Sequence, residues 1–165
     1  MLGALLTILG PACLGVQSDL GPPPTFLYAD LDGDATLEEV RVTPGSEGIV
    51  IVDGDTTYRS RAKWLVVDAV IADTDRDGAP EVVALLDDEG GRHIGLIAWR
   101  TDRYRERLVT SPLVPEPLGF RVRSAENGEG DLIVLTDTSG AEVQYRWNGF
   151  GFKAMRTDGR EGGGT

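Results

Sequence analysis

The stretch Ala72–Val83 reads A-D-T-D-R-D-G-A-P-E-V-V, and the rest of the chain can be interpreted from it. Asp73, Asp75 and Asp77 alternate within it, and Glu81 closes the run just before an apolar segment. Carboxylates this close repel one another, by roughly 1 kcal/mol per pair at about 4 Å in water. A hard cation relieves that repulsion, and Ca²⁺ prefers a shell of about six to eight oxygens. The spacing therefore predicts a calcium loop.

The loop differs from an EF-hand in the way it ends. An EF-hand has a bidentate glutamate at its twelfth position, and that position here is Ala84. Glu81 stands at the ninth position instead, and Pro80 before it prevents continuation into a helix. Gly78 allows a sharp turn with positive φ. We therefore expect this loop to join two β-strands.

The same pattern occurs a second time, 43 residues earlier, at Asp30–Glu38. Self-similarity at such a period indicates a repeat architecture. We expect each loop to bind one Ca²⁺ through carboxylates and one backbone carbonyl. The expected ligands are Asp30, Asp32, Asp34 and Glu38 with the Thr36 carbonyl, and Asp73, Asp75, Asp77 and Glu81 with the Ala79 carbonyl.

The form D-x-D-x-D-G-x-P-E-V-V resembles the FG-GAP/VCBS repeats of integrin α-chain-like β-propellers. In that family the loop joins the first and second strands of a four-stranded blade and binds Ca²⁺. The resemblance covers roughly residues 25–156, and its specific part is the two loops. It implies a module that mediates protein or glycan contacts at the cell surface.

The strand pattern outside the loops agrees with such repeats. Short apolar or alternating segments separated by turn residues fill three units, at about 25–63, 64–112 and 117–156. Four strands in each unit predict an all-β fold of three four-stranded antiparallel propeller-blade-like repeats. Closed propellers have about four to eight blades, so we expect an open stack or a ring completed by oligomerisation. The third unit has only a degenerate acidic loop, at Glu126–Asp131.

Aromatic residues recur at the hairpin ends of the second and third units. Trp99 precedes Tyr104 by five residues, and Trp147 precedes Phe152 by the same spacing. We expect these rings to pack between neighbouring sheets, with stacking on a ligand as the alternative.

Basic residues alternate along the predicted fourth strands. Charged outer strands discourage pairing between sheets of different molecules, and edge protection is therefore the first interpretation. A stripe that binds an anionic polymer or a membrane surface is the alternative. The residues are Arg59, Arg61 and Lys63 in the first unit, Arg103, Arg105 and Arg107 in the second, and Lys153 and Arg156 in the third.

The N-terminal segment is apolar and breaks the repeat pattern. Residues 1–16 are expected to be a signal peptide or membrane anchor, with a buried structural segment as the alternative. Cys13 is a candidate lipoprotein acceptor, and the protein is expected to be secreted or to lie in the cell envelope. Residues 17–24 form a proline-rich linker, and 157–165 a flexible tail.

Charge and motif content bear on the class of function. The net charge is −11, and eight of the 27 carboxylates belong to the two loops, which argues for metal ions and against nucleic acid. His93 is the single histidine, with no nucleophile elbow or phosphate loop beside it, and we expect it to be an exposed turn residue. A calcium-binding interaction module is therefore favoured over an enzyme. A purely structural calcium-stabilised domain and a hydrolase on the loop face are the alternatives.

Overall fold

The computed structural model describes residues 23–45, 48–124 and 130–155. The predicted signal peptide or anchor (1–16), most of the linker, most of the degenerate third loop and the tail (157–165) lie outside the described residues. The described part of the chain contains no helix that could span a membrane.

In the described residues, twelve β-strands form three antiparallel sheets, each made of four consecutive strands. Sheet 1 contains β1 (Thr25–Ala29), β2 (Glu38–Thr43), β3 (Gly48–Asp53) and β4 (Thr56–Arg59). Sheet 2 contains β5 (Leu65–Ala72), β6 (Glu81–Asp88), β7 (Gly91–Arg100) and β8 (Arg103–Val109). Sheet 3 contains β9 (Pro117–Arg123), β10 (Leu132–Asp137), β11 (Glu142–Trp147) and β12 (Phe152–Met155). The all-β prediction with three four-stranded blade-like repeats is confirmed, and the stack is open within one chain.

Burial follows the position of each sheet in the stack. In β2 the side chains of Glu38, Val40 and Val42 are buried, and the intervening residues are more exposed, because only one face meets another sheet. In β6 every residue from Glu81 to Leu86 is buried, because sheet 2 is covered on both faces. The continuous apolar run of β6 therefore reflects its central place between sheets 1 and 3.

Two hydrophobic cores hold the sheets together. Val40, Ile51, Val82 and Ile97 belong to the core between sheets 1 and 2. Val83, Leu96, Ile133 and Leu135 belong to the core between sheets 2 and 3.

The aromatic pairs lie in these cores, as the sequence predicts. The rings of Trp99 and Tyr104 are 4.8 Å apart, and those of Trp147 and Phe152 are 5.4 Å apart, both edge to face. The first pair packs in the core between sheets 1 and 2, and the second in the core between sheets 2 and 3. Their packing role between sheets is confirmed.

The structure corrects two local expectations. The residue pattern at 56–62 predicts a fourth strand of the first unit that reaches Ala62, but this strand ends at Arg59. Ser60 still donates its N–H to the Ile49 carbonyl, but its Oγ accepts the Ile49 N–H in place of a backbone carbonyl, and the ladder stops there. The expectation that His93 is an exposed turn residue is wrong, since His93 lies within β7 and is 6% exposed.

The outer face of sheet 3 is polar. Ile133 points toward sheet 2, so Val134 points away from it. Arg121 pairs across from Val134 and forms a 2.7 Å ion pair with Glu142 on that face. Charged side chains therefore cover the apolar centre of the terminal sheet, which is the capping that an open repeat stack requires.

Sheet 3 also contacts the second acidic loop through backbone groups. The Asp131 N–H donates to the Asp73 carbonyl at 2.8 Å, and the Asp73 N–H donates to Asp131 Oδ2 at 3.1 Å. Gly130 precedes this contact, and a Cβ at that position would collide with the carbonyl oxygen of Thr74.

Replacing Gly130 by alanine is expected to destabilise the protein by about 1–3 kcal/mol, because the collision is with backbone and forces the junction apart. Gly140→Ala is the matched control, since Gly140 also has positive φ but faces open space. Urea denaturation of both variants measures the difference. Equal losses of stability would mean that the contact at Thr74 does not hold sheet 3 in place.

Candidate metal centres

The two acidic loops share one backbone conformation. Each has positive φ at the fourth and sixth positions: 82° at Gly33 and 70° at Ala35, then 62° at Arg76 and 87° at Gly78. Each loop thus uses one glycine and one residue with a Cβ for the two left-handed positions, in opposite order. The repeat predicted from the sequence is therefore a repeat of geometry as well.

Backbone N–H groups orient the aspartates within each loop. Asp30 accepts from Gly33 at 2.7 Å and from Ala35 at 3.0 Å, and Asp73 accepts from Gly78 at 3.2 Å. The predicted carbonyl ligands lie in the same turns. Thr36 donates its N–H to Asp34 at 2.7 Å, and Ala79 donates its N–H to Asp77 at 3.0 Å.

The first loop brings all four predicted carboxylates together. One oxygen from each of Asp30, Asp32, Asp34 and Glu38 lies within 4.8 Å of the others. Asp30 and Asp32 are partly buried, Asp34 is exposed, and Glu38 is buried. The four carboxylates therefore form a cluster that is exposed to solvent at Asp34 and buried at Glu38.

Glu38 is 1% exposed, and its two oxygens are in different situations. Oε2 accepts the Leu31 N–H at 2.5 Å. Oε1 is buried and has no hydrogen-bond partner among the described residues. Burial raises the pKa of Glu38, and the nearby charges of Asp32, Asp53 and Asp30 raise it further, against the hydrogen bond from Leu31. A buried carboxylate oxygen in this position requires a cation or a proton.

A neutral group from the neighbouring sheet stands beside the first loop. Tyr104 of β8 directs its hydroxyl toward Asp53 Oδ2, at 3.5 Å. Burial raises the pKa of Tyr104, and the charges of Glu38, Asp53 and Asp32 raise it further. Sheet 2 therefore presents a phenol, which carries no charge, to the acidic surroundings of Glu38.

The second loop brings together three of its four predicted carboxylates. Oxygens of Asp73, Asp75 and Glu81 lie within 4.8 Å of one another, and Asp77 lies outside this group. Glu81 is 2% exposed, and its Oε2 accepts hydrogen bonds of 3.0 Å from both the N–H and the hydroxyl of Thr74. Burial raises the pKa of Glu81 to about 7, with the charge of Asp75 adding to the shift.

Two arginines form ion pairs with carboxylates of the second loop. Nη1 of Arg107 lies 2.5 Å from Asp75 Oδ2 and 3.2 Å from Glu81 Oε1. Arg100 forms 3.2 Å ion pairs with Asp75 and Asp77. Burial pulls the pKa of Asp75 upward, but the hydrogen bond and charge of Arg107 outweigh it and hold that pKa below its usual value. The two loops are therefore alike in backbone and different in electrostatics.

Sequence reasoning did not find these arginines as part of the site. Arg107 was interpreted as an edge residue because it alternates with Arg103 and Arg105. The register shifts between Leu96 and Ile97 of β7, which leaves Arg107 as the extra residue of a β-bulge. A bulge re-aims a side chain, and here it directs Arg107 toward the acidic loop.

His93 has a structural environment. Its Nδ1 lies 2.7 Å from the Thr110 carbonyl, its Nε2 lies 3.1 Å from Asp88 Oδ1, and its ring is 5.2 Å from that of Trp64. Because both ring nitrogens face oxygens of the protein itself, neither is directed toward a substrate. This geometry does not favour a role for His93 as the general base of a hydrolase.

No protein-family model, curated protein or solved structure matches the chain.

Proposed function

We propose that this chain is a calcium-binding β module in which the first acidic loop holds one Ca²⁺ tightly and the second holds another more weakly. The observation that carries the proposal is Glu38 Oε1, a buried oxygen without a hydrogen-bond partner at the buried end of a four-carboxylate group. An ion at that point satisfies the oxygen and removes the mutual repulsion of the carboxylates at the same time.

The donor set favours calcium over other common ions. All the donors are oxygens, which suits hard cations and does not suit zinc, whose sites are rich in nitrogen and sulfur. Mg²⁺ keeps several waters and requires near-ideal octahedral geometry, so a site of four clustered carboxylates suits the larger ion better. Ca²⁺ accepts six to eight ligands at about 2.3–2.6 Å, with carbonyls such as those of Thr36 and Ala79 and with water completing the shell.

The two loops are expected to differ in affinity. In the first loop the charges that raise the pKa of Glu38 are those of the carboxylates Asp32, Asp53 and Asp30. In the second loop an ion must displace Arg107 from Asp75 and Glu81, and Arg100 from Asp75. Displacing paired guanidinium groups opposes binding, and we therefore assign the second loop the weaker site.

The biological role that we propose is contact with a protein or glycan at the cell surface, by an exported protein. The resemblance of the two loops to FG-GAP/VCBS repeats and the high calcium level outside cells support this role. A purely structural domain stabilised by calcium is the second candidate, favoured by the position of both loops beside the sheet junctions.

Calorimetric titration with calcium tests the proposal. Wild-type protein stripped of metal is expected to bind two ions with different affinities. Asp32→Ala is expected to remove the tighter site, and Asp75→Ala the weaker one. The absence of any binding heat in the wild type at millimolar calcium would contradict the proposal.

A further inference from the structure

The carboxylates of the second loop are in contact with a positively charged side chain, that of Arg107. Nη1 of Arg107 contacts Asp75 Oδ2 and Glu81 Oε1, and these two residues belong to the group of three clustered carboxylates. Glu81 is 2% exposed, and the Arg107 side chain is 24% exposed, so the contact is substantially shielded from water. A guanidinium is always protonated, so this contact supplies a permanent positive charge to the loop.

The corresponding surroundings of the first loop are different. Asp53 and the neutral Tyr104 hydroxyl lie there, and the charges of Asp32, Asp53 and Asp30 raise the pKa of Glu38. The β-bulge at Arg107 lies in sheet 2 and has no counterpart in the register of β3 and β4. The difference between the loops therefore arises from the bulge that re-aims Arg107, together with Arg100 at the end of β7.

We propose that Arg107 is a built-in counter-ion that competes with the divalent cation for Asp75 and Glu81, and so sets the calcium concentration at which the second loop fills. This inference rests on the proposed function of the second loop. The competition is direct, because the metal and the guanidinium require the same carboxylates. Arg107 thus sets the affinity of the second loop for the ion and is not a ligand.

Filling of the second loop is coupled to sheet 3 through the other side of the guanidinium. The Arg107 guanidinium carbon lies 4.5 Å from the centre of the Trp147 ring, a cation–π contact. Both residues line a cleft of about 500 Å³ between sheets 2 and 3, together with Thr74, Arg76 and Gly130. The cleft gives the guanidinium room to leave the carboxylates and remain against the indole. Calcium entering the second loop therefore changes the environment of Trp147.

The experiment compares calcium titrations of the wild type, Arg107→Met and Arg107→Lys, with Arg105→Met as the matched control. Arg105 lies on the same strand and is exposed. Arg107→Met is expected to tighten the weaker site by at least about tenfold, which corresponds to about 1.4 kcal/mol. Arg107→Lys keeps a competing charge and is expected to stay within about threefold of the wild type. Arg105→Met is expected to change neither site. An unchanged or weakened second site in Arg107→Met would overturn the inference.

A second readout uses the protein without a substitution at Arg107. Indole emission of the wild type is expected to change as the weaker site fills, and this phase is expected to be lost in Trp147→Phe. A weaker-site phase of equal size in Trp147→Phe would overturn the coupling to sheet 3.

Failure of the inference is distinguishable from failure of the proposed function. A wild type that binds no calcium contradicts the proposed function, and a gain of one site in Arg107→Met then still supports the role of Arg107. A wild type that binds calcium at the first loop, with no gain in Arg107→Met, supports the proposed function and overturns the inference.

Discussion

Glu38→Gln is expected to abolish most of the calcium-dependent rise in melting temperature and to leave the chelated protein at least as stable as the wild type. The glutamine has the same shape, and its carbonyl oxygen can still accept the Leu31 N–H that Glu38 accepts. The substitution removes a buried carboxylate whose pKa is raised, so the metal-free protein loses nothing. It also removes the charge on which the metal site depends.

The size of the effect follows from mass action. An ion that binds only the folded state stabilises it by about 2.7 kcal/mol at a hundredfold excess over its dissociation constant. For a chain of 165 residues this corresponds to about 8 °C in melting temperature. Thermal melting in calcium and in chelator measures it. Glu39→Gln is the control, because Glu39 is the next residue but pairs with Arg41 outside the group. A full calcium shift in Glu38→Gln would contradict the assignment.

Ile133→Ala is expected to lower the free energy of unfolding by about 2–5 kcal/mol. Ile133 is fully buried and packs with Val83 and Leu96 in the core between sheets 2 and 3. Truncation of Ile133 leaves a cavity at the junction that joins sheet 3 to sheet 2. The expected loss is a large part of the roughly 5–15 kcal/mol by which a typical domain is stable.

Urea denaturation followed by circular dichroism measures the loss. Leu118→Ala is the control, because Leu118 lies on the neighbouring strand β9 and is 60% exposed. The control is expected to change stability by less than about 0.5 kcal/mol. A loss in Ile133→Ala no greater than in the control would mean that sheet 3 does not share a core with sheet 2.

Strand bounds were predictable where turn residues and apolar alternation coincide. The residue pattern predicts strands at Arg103–Val109, Glu142–Trp147 and Phe152–Met155, and these are the bounds of β8, β11 and β12 in the structure. Each is flanked by hairpin residues, and each begins or ends with an aromatic or aliphatic residue that packs between sheets. The acidic loops were equally visible, because close carboxylates with a glycine have few other physical explanations.

The electrostatic difference between the loops was not predictable from the sequence. It depends on a register shift between β7 and β8, and one bulged residue decides on which face Arg107 lies. The burial of His93 was not predictable for a similar reason. Gly91 suggests a turn, but the β6–β7 ladder extends to the pair Asp88–Gly91, so His93 lies within the strand. The pairing register within the hairpins sets both outcomes, and the pattern of residue types along the chain does not encode it.

A crystal structure of the protein grown in calcium tests whether an ion binds the buried oxygen of Glu38. An anomalous calcium peak is expected in the first loop, with Glu38 Oε1 and oxygens of Asp30, Asp32 and Asp34 at about 2.3–2.6 Å. At moderate calcium the second loop is expected to show Arg107 still on Asp75. A first loop without a calcium peak at saturating calcium, or a peak that Glu38 does not contact, would contradict the account.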